Sequence, residues 1–386
     1  MKREKRKTAL VLAGGGIPGW MYEIGALTAL DDLFSEGFSI NDFDIYVGTS
    51  AGAAVASLIA NRVKPRTIFQ AILEDQESPF NYNRTNVYGL LSMRDIFCIG
   101  KKILKSFFPV LKSYLRERKH ISRLDLFHLL QENLPSGFFS LKNLDNHLAT
   151  FFSQDGYTND FRKLARELYI PAVDIDRGRY DVFGEEGFSD VPISTAVIAS
   201  SAMPIFFQPV QIRGRDYVDG GVGRVAHMDI AINHGAGLIF VITPVQYIIN
   251  DRSQVCLPTI SGYCASLAEK GLSYIYDQSL RINHSTRLHL AFKRYLVEYP
   301  DKDFLLIQPK PSETIMFLHS IISLQLKREI LLHGYHSTTL FFLEQFPRLQ
   351  EIFARHGIKV SLDKLQGRES RPQASVRAEQ AAEKID

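Results

Sequence analysis

Residues 45–60 read Ile45-Tyr-Val-Gly-Thr-Ser-Ala-Gly-Ala-Ala-Val-Ala-Ser-Leu-Ile-Ala60 and indicate the class of fold. The apolar start is typical of a short buried strand, and the small residues that follow are typical of a helix that packs closely on a sheet. Between the two, Gly48-Thr-Ser-Ala-Gly52 has the G-x-S-x-G pattern of a sharp strand-to-helix turn. The stretch predicts one strand–helix unit of an α/β protein.

Ser50 lies at the tip of this turn and is a candidate nucleophile. The turn would present its hydroxyl at the carboxyl edge of the sheet, and Gly48 and Gly52 leave room for the crowded backbone. The start of the helix also places a positive dipole end and free N–H groups, such as that of Ala51, beside the hydroxyl. The alternative interpretation is a serine that only caps the helix.

A second strand–helix unit precedes the first, because an apolar strand pattern at 8–12 is followed by a glycine loop and a helical pattern at 20–33. Two such units in succession predict a mostly parallel sheet with helices on its faces. Later strand patterns lie at 168–173, 179–183, 209–212, 216–218, 238–243 and 304–307, and helical patterns at 193–201 and 313–345.

The glycine loop, Gly14-Gly-Gly-Ile-Pro-Gly19, admits three interpretations. It fits the G-x-G-x-x-G dinucleotide fingerprint, but no acidic residue ends the second strand as that site requires. It also fits a plain glycine-rich turn. The third interpretation is an oxyanion hole formed by backbone N–H groups of Gly14, Gly15 and Gly16, which a serine nucleophile requires. The nearby Ser50 turn favours this last interpretation.

A serine nucleophile needs a base, and Asp219 is the candidate. It follows a short apolar strand, and Gly220 and Gly221 let the backbone turn away so that the carboxylate projects into a cleft. No histidine after it lies in a recognisable loop behind a late strand, which favours a Ser–Asp dyad over a triad. Burial would raise the pKa of the aspartate and make it a better base.

Composition narrows the function. The chain has 386 residues, 45% of them apolar, and 45 basic against 42 acidic residues give a net charge of +3, too low to indicate a nucleic-acid partner. The three cysteines, at 98, 256 and 264, form no CxxC pair, so neither a disulfide scaffold nor a metal site is expected. No run reaches the ~18 apolar residues of a membrane span. We expect a cytoplasmic protein without cofactor.

The segment 101–119 carries seven basic residues and one acidic residue, interleaved with Ile, Leu and Phe. Lys101, Lys105, Lys112 and Arg116 fall near one helical face, so the segment predicts a basic amphipathic helix that contacts an anionic membrane surface. The alternative is an ordinary packed helix with a solvated charged face. A peripheral position at the inner membrane surface would follow from the first interpretation.

Four ordered blocks resemble bacterial patatin-like phospholipases: Leu10-Val-Leu-Ala-Gly-Gly-Gly16 with Gly19, Gly48-Thr-Ser-Ala-Gly52, Ala199-Ser-Ser-Ala-Met-Pro204 with 206–210, and Tyr217-Val-Asp-Gly-Gly221. The resemblance covers residues 8–245 and implies a three-layer α/β/α sandwich. It also implies hydrolysis of lipid acyl esters, with Ser50 as nucleophile, Asp219 as base and chiefly Gly15 and Gly16 as oxyanion donors. One position departs from the family pattern, since Pro18 replaces the usual Arg or Lys.

The expected organisation is a basic extension at 1–7 and a catalytic domain at 8–250 with a helical insertion at 80–160. A helical and strand region at 251–365 packs on the same domain, and a disordered tail occupies 366–386. The expected enzyme is a carboxylic ester hydrolase of phospholipase A or lysophospholipase type. The alternatives are an NAD-type oxidoreductase that uses the glycine loop and a non-catalytic lipid-binding relative. The sequence does not indicate the oligomeric state.

Overall fold

The structure, a computed structural model, describes residues 6–35, 37–83, 135–251, 263–317 and 326–369, and single positions 87, 89, 90, 97, 101, 105, 112, 257 and 324. The strands in this part of the chain are β1 Lys7–Leu12, β2 Ile45–Gly48, β3 Gly89–Leu90, β4 Gly137–Ser140, β5 Glu167–Asp174, β6 Arg179–Phe183, β7 Ile205–Phe207, β8 Val210–Ile212, β9 Arg215–Val218, β10 Ala236–Ile242 and β11 Asp303–Ile307.

The helices of the described residues are α1 Gly16–Leu33, α2 Ala51–Ala60, α3 Pro65–Leu73, α4 Lys142–Phe152, α5 Ile193–Ser200, α6 Met228–Asn233, α7 Leu272–Glu298, α8 Lys327–Arg355 and α9 Asp363–Glu369. Short 3₁₀ turns cover Ile40–Asp42, Phe161–Lys163 and Thr314–Phe317.

The central sheet has eight strands in the order β11-β10-β1-β2-β5-β9-β8, with β6 also paired to β5. The run from β11 to β5 is parallel, whereas β6, β8 and β9 join by antiparallel pairing. Strands β3, β4 and β7 form a separate small sheet. The predicted mostly parallel α/β architecture is confirmed.

Both faces of the sheet are covered, because successive side chains of a strand point to opposite faces. Leu10 and Leu12 belong to a core cluster shared with α1, α2, α5 and α8. Ala9 and Val11 belong to a second cluster shared with α6 and α7. The molecule therefore has three layers, helix, sheet and helix, and the first layer is the larger.

Helices α1 and α8 approach so closely that glycine is required on both. A Cβ atom built on Gly25 would lie 2.2 Å from the carbonyl oxygen of Leu331. One built on Gly334 would lie 2.4 Å from the carbonyl oxygen of Tyr22. Through this contact α8 packs directly on α1, the helix that follows the glycine loop.

Three sequence expectations need correction. Helix α1 begins at Gly16, four residues before the predicted start, because the glycine loop turns directly into the helix. The predicted tail begins as helix, since α9 includes residues 366–369, and residues 370–386 lie outside the described part. Cys264 is disulfide-bonded, which the cysteine spacing did not predict.

Much of the predicted insertion at 80–160 lies outside the described residues. Its described part contributes β3, β4 and α4. In the part of the chain that the structure covers, no helix combines the length and apolarity needed to cross a bilayer.

Candidate active site

Ser50 lies on a strained turn between β2 and α2. Its backbone has φ 56° and ψ −129°, outside the regions that a residue with a side chain prefers. The residue is 9% exposed and immediately precedes the helix. A strained, nearly buried serine at the carboxyl end of a parallel strand is the geometry of a nucleophile elbow. Gly48 and Gly52 border the turn, and a Cβ on Gly52 would lie 2.5 Å from the carbonyl oxygen of Leu12.

The Ser200 side chain connects this turn to the rest of the site. Its Oγ accepts a hydrogen bond from the Ser50 backbone N–H at 3.0 Å and donates one to the Pro171 carbonyl at 2.7 Å. The Ser200 carbonyl accepts the Gly220 N–H at 3.1 Å. One residue thus links the nucleophile turn, strand β5 and the turn that carries Asp219.

Asp219 follows β9 and is 4% exposed. Its N–H donates to the Ala202 carbonyl at 3.0 Å, and its Oδ1 accepts the Gly221 N–H at 2.7 Å. Gly220 is required here because a Cβ would lie 2.2 Å from the Pro171 carbonyl oxygen. The turn therefore holds the carboxylate in one orientation and leaves its second oxygen, Oδ2, without a hydrogen-bond partner among the described residues.

Burial raises the pKa of Asp219 to about 6, and the Ser50 hydroxyl and the Gly221 amide partly oppose this rise. The Ser50 hydroxyl is thus close enough to influence the carboxylate, although no well-formed hydrogen bond joins them. Hydrogen bonds between catalytic groups are often long or poorly aligned without substrate. Ser50 and Asp219 therefore lie near each other in the structure.

The glycine loop lies directly against the Ser50 turn. Gly14, Gly15 and Gly16 have φ values of 74°, 129° and 69°, which side-chain-bearing residues rarely adopt. A Cβ on Gly14 would lie 2.4 Å from the Thr49 carbonyl oxygen. The loop therefore depends on glycine for both its backbone conformation and its closeness to the turn.

The three glycine amides are not equivalent. The N–H of Gly14 donates to Oε1 of Glu23 at 2.8 Å, so it is already engaged. The N–H groups of Gly15, Gly16 and Ala51 donate to no acceptor among the described residues. Of the candidate oxyanion donors Gly14, Gly15, Gly16 and Ala51, the last three therefore keep a free N–H among the described residues.

Histidines take no direct part in this arrangement. Within the described residues, none hydrogen-bonds to Ser50 or Asp219. His227 is fully buried, its Nε2 donates to the Gly220 carbonyl at 2.9 Å, and burial lowers its pKa. His227 therefore supports the turn of Asp219 as a neutral side chain.

Two residues of the site were missed by the sequence analysis. Ser200 was quoted only as part of a family block, and Glu23 was not singled out. A serine that ends a helix and a glutamate within a helix are both common, so neither carries a local signal. Ser200 contacts Ser50, which is far away in the chain, and Glu23 contacts Gly14 in the preceding loop.

Two cavities among the described residues lie away from this site. They have volumes of about 280 and 200 Å³, and both have Asp44 in their lining. The larger also has Lys7 and Glu167, at the starts of β1 and β5, and so opens at the edge of the sheet opposite Ser50. Within the described residues, a strained serine and a buried carboxylate occur together at the edge of the sheet that carries Ser50.

The fold and this site define a class of protein, the three-layer α/β proteins that present a serine on a strand-to-helix elbow. A family model of the patatin-like phospholipases matches residues 10–232, more than half of the chain. The chain belongs to the patatin-like phospholipase family. The matched region contains both Ser50 and Asp219.

Individual relatives are distant. The "probable lipid hydrolase 463L" of Invertebrate iridescent virus 6 is 24% identical over 238 residues, which are 60% of this chain and 66% of the viral protein. VipD from Legionella pneumophila is 15% identical, with a TM-score of 0.38 over 88% of this chain and 67% of its own. ExoU of the Pseudomonas aeruginosa type III secretion system, solved in complex with SpcU, is 14% identical, with a TM-score of 0.33. The match covers 89% of this chain and 53% of the ExoU chain. The chain spans about half of ExoU and just under two thirds of the viral relative.

Proposed function

We propose that this protein is a serine acyl hydrolase that cleaves fatty-acyl esters of phospholipids or lysophospholipids. The observation that carries the proposal is the pairing of the strained Ser50 with the buried Asp219, whose Oδ2 has no other partner among the described residues. Membership of the patatin-like phospholipase family supports the lipid substrate, and so does the name of the viral relative.

The reaction begins when Ser50 Oγ attacks the ester carbonyl and its proton passes to Asp219 Oδ2. Negative charge then develops on the former carbonyl oxygen. The free N–H groups of Gly15, Gly16 and Ala51 stabilise this charge, and donors of this kind are often the largest catalytic contribution. The ester bond breaks, the alcohol leaves with the proton from Asp219, and the acyl group remains on Ser50.

Water completes the cycle. Asp219, ionised again, takes a proton from a water molecule that attacks the acyl-enzyme carbonyl. The second tetrahedral intermediate collapses, the proton returns to Ser50 Oγ, and the fatty acid is released. The same three amides stabilise both intermediates, because the oxyanion occupies the same position in each.

The direct test compares Ser50→Ala with the wild type for hydrolysis of phospholipid vesicles and labelling by a fluorophosphonate. We expect both activities to disappear while the fold survives. Ser57→Ala is the matched control, since Ser57 lies in the same helix and its hydroxyl bonds only to the Ala54 carbonyl. Persistent labelling in Ser50→Ala would contradict the nucleophile.

Other outcomes of this test identify the alternatives. A protein that binds vesicles but leaves Ser50 unlabelled would be a non-catalytic relative. A thermal shift with NAD and no labelling would favour the dinucleotide interpretation of the glycine loop. Mass spectrometry of the released products distinguishes phospholipase A from lysophospholipase specificity.

We further propose a peripheral membrane contact through the basic segment 101–119. Lys101, Lys105 and Lys112 are exposed, and Nζ of Lys101 lies 4.8 Å from the ring centroid of the exposed Phe97. Arg116 lies outside the described residues. Exposed cations beside an exposed aromatic ring suit the surface of an anionic bilayer.

A further inference from the structure

Glu23 is a buried acid at the centre of the site that the proposed reaction does not use. It lies in α1, is 0% exposed, and its Oε1 accepts the Gly14 N–H at 2.8 Å. Its second oxygen, Oε2, has no partner among the described residues, and no cation pairs with it there. A buried polar group with one oxygen unsatisfied requires an explanation, because such groups are costly and rare.

Burial favours the neutral form of the Glu23 carboxyl group. Burial raises its pKa well above the ordinary value, and the Gly14 amide opposes the rise only in part. No ionised side chain of the described residues contributes to this pKa. An ionised carboxylate at this position would be an unpaired buried charge, which is far more costly than an unsatisfied neutral acid.

The contact with Gly14 matters because of where Gly14 lies. It is the first of three successive glycines with positive φ, and its Cα approaches the Thr49 carbonyl next to the nucleophile. Three glycines in succession have a wide choice of conformations, so the loop needs an external partner to adopt only one. Glu23 supplies the side-chain acceptor for the Gly14 amide, and it does so from a rigid helix.

We propose that Glu23, as a neutral carboxylic acid, is a positioning residue that fixes the glycine loop so that the Gly15 and Gly16 amides face the substrate oxygen. This inference rests on the proposed hydrolase function. The acid does not contact the substrate. Its carbonyl-like Oε1 holds the Gly14 amide away from the reacting centre, and the next two amides are thereby directed toward it.

The test compares two variants in hydrolysis of 4-nitrophenyl butyrate. Glu23→Gln keeps a neutral acceptor for the Gly14 amide, and we expect its kcat to stay within about threefold of the wild type. Glu23→Met removes the acceptor at similar volume. We expect its kcat to fall by tens to hundreds of fold with little change in KM, since loss of one oxyanion donor costs about 10²–10³ in kcat.

Thr28→Val is the matched control, because Thr28 is fully buried in the same helix and its hydroxyl bonds only to the Ile24 carbonyl. Its kcat should stay unchanged. A wild-type kcat for Glu23→Met would overturn the positioning role. A Glu23→Gln variant as inactive as Glu23→Met would also overturn it, because the acid would then be needed for its proton or its charge.

Stability against pH gives a second readout that does not require catalysis. The folded wild type keeps the Glu23 proton while the unfolded chain releases it, so the folding equilibrium constant should fall about tenfold per pH unit relative to Glu23→Gln from about pH 5 up to the raised pKa of the folded protein. Parallel curves of stability against pH for the wild type and Glu23→Gln would show an ionised Glu23 and overturn the inference. This readout remains valid even if Glu23→Met fails to fold. A wild type without any fluorophosphonate labelling would instead contradict the proposed function.

Discussion

At the scale of single residues, the proposed role of Asp219 as base predicts how the reaction depends on pH. A base must be ionised, and burial raises the pKa of this carboxyl from 3.8 to about 6. We therefore expect kcat/KM for a neutral short-chain ester to rise with pH through an apparent pKa near 6 and then to level off. If kcat/KM instead rises through an apparent pKa near 4, burial does not raise the pKa of Asp219 in this way. If a histidine variant abolishes this rise of kcat/KM with pH, a catalytic triad is indicated.

Asp219 also affects stability. The folded chain retains the Asp219 proton more tightly than the unfolded chain between pH 3.8 and about 6, so stability falls as pH rises through that window and stays lower above it. Asp219→Asn removes this loss, and we expect a gain of up to about 3 kcal/mol in the free energy of unfolding at pH 7.5. The kcat of the same variant should fall by a factor of about 10²–10⁴. Denaturant unfolding at pH 4 and pH 7.5 measures the gain, which should be near zero at pH 4.

The sequence singled out Ser50 and Asp219 because each lies in a turn whose glycines leave a local pattern. Ser50 is flanked by Gly48 and Gly52, and Asp219 precedes two glycines. Glu23 has no such pattern, since an acid in an amphipathic helix normally faces solvent. In the structure α1 begins at Gly16, directly after the glycine loop, and Glu23 accepts a hydrogen bond from the Gly14 N–H of that loop. The engaged Gly14 amide was missed for the same reason.

At the scale of elements, the contact between α1 and α8 is a sensitive point. Gly334→Ala would place a methyl group 2.4 Å from the carbonyl oxygen of Tyr22, and backbone cannot move aside cheaply. We expect a loss of about 2–4 kcal/mol in stability, typical of overpacking or a helix shift in a core. His336→Ala, an exposed change in the same helix, is the control and should alter stability little. Equal unfolding midpoints for both variants would show that the helices separate easily.

The basic segment allows a second prediction at this scale. Replacing Lys101, Lys105, Lys112 and Arg116 by Glu should reduce sedimentation with anionic vesicles, and the wild-type binding should weaken as salt rises. Hydrolysis of a short soluble ester should persist, because Ser50 and Asp219 are untouched. The matched control reverses four exposed cations elsewhere, Lys142, Lys163, Lys293 and Arg348. If both variants bind vesicles like the wild type, the segment is an ordinary packed helix.

Element boundaries were most predictable where one periodicity dominates. The strand–helix unit predicted within 45–60 matches β2 and α2, and the predicted strand at 179–183 matches β6. Helix α7 was not predicted, because polar and apolar residues mix along it and only a narrow face, including Arg281, Ser285 and Leu288, is buried. Its position depends on packing over the sheet rather than on its own sequence.

At the scale of the whole molecule, residues beyond the family match complete the sheet. Strand β11 pairs with β10 in parallel register, and α8 packs against α1 through Gly25 and Gly334. We expect a fragment of residues 1–250 to lack a cooperative unfolding transition, because it exposes one edge and much of one face of the sheet. Residues 1–369 should unfold like the full chain. A stable, cooperative fragment 1–250 would show that the C-terminal region is an accessory.

The sequence predicted the fold class at this scale but not the sheet order. Apolar runs reveal strands, yet which strand lies beside which depends on crossover connections that leave no local trace. Strand β10 is the seventh strand of the central sheet along the chain and nevertheless neighbours β1. That pairing brings Pro244 and Val245, just after β10, beside Gly15 of the glycine loop.

Ser200 has a consequence for how this protein can diversify. Its hydroxyl joins the turn of Ser50 to strand β5, and its carbonyl accepts the Gly220 N–H in the turn of Asp219, so one residue connects three backbone segments. Side chains elsewhere can then be exchanged without moving the reacting pair. Selection can alter what the protein accepts while its chemistry stays constant, so substrate range and reaction mechanism are separately evolvable. Ser200 itself is excluded from this freedom, since loss of its hydroxyl removes the hydrogen bonds to the turn of Ser50 and to strand β5 together.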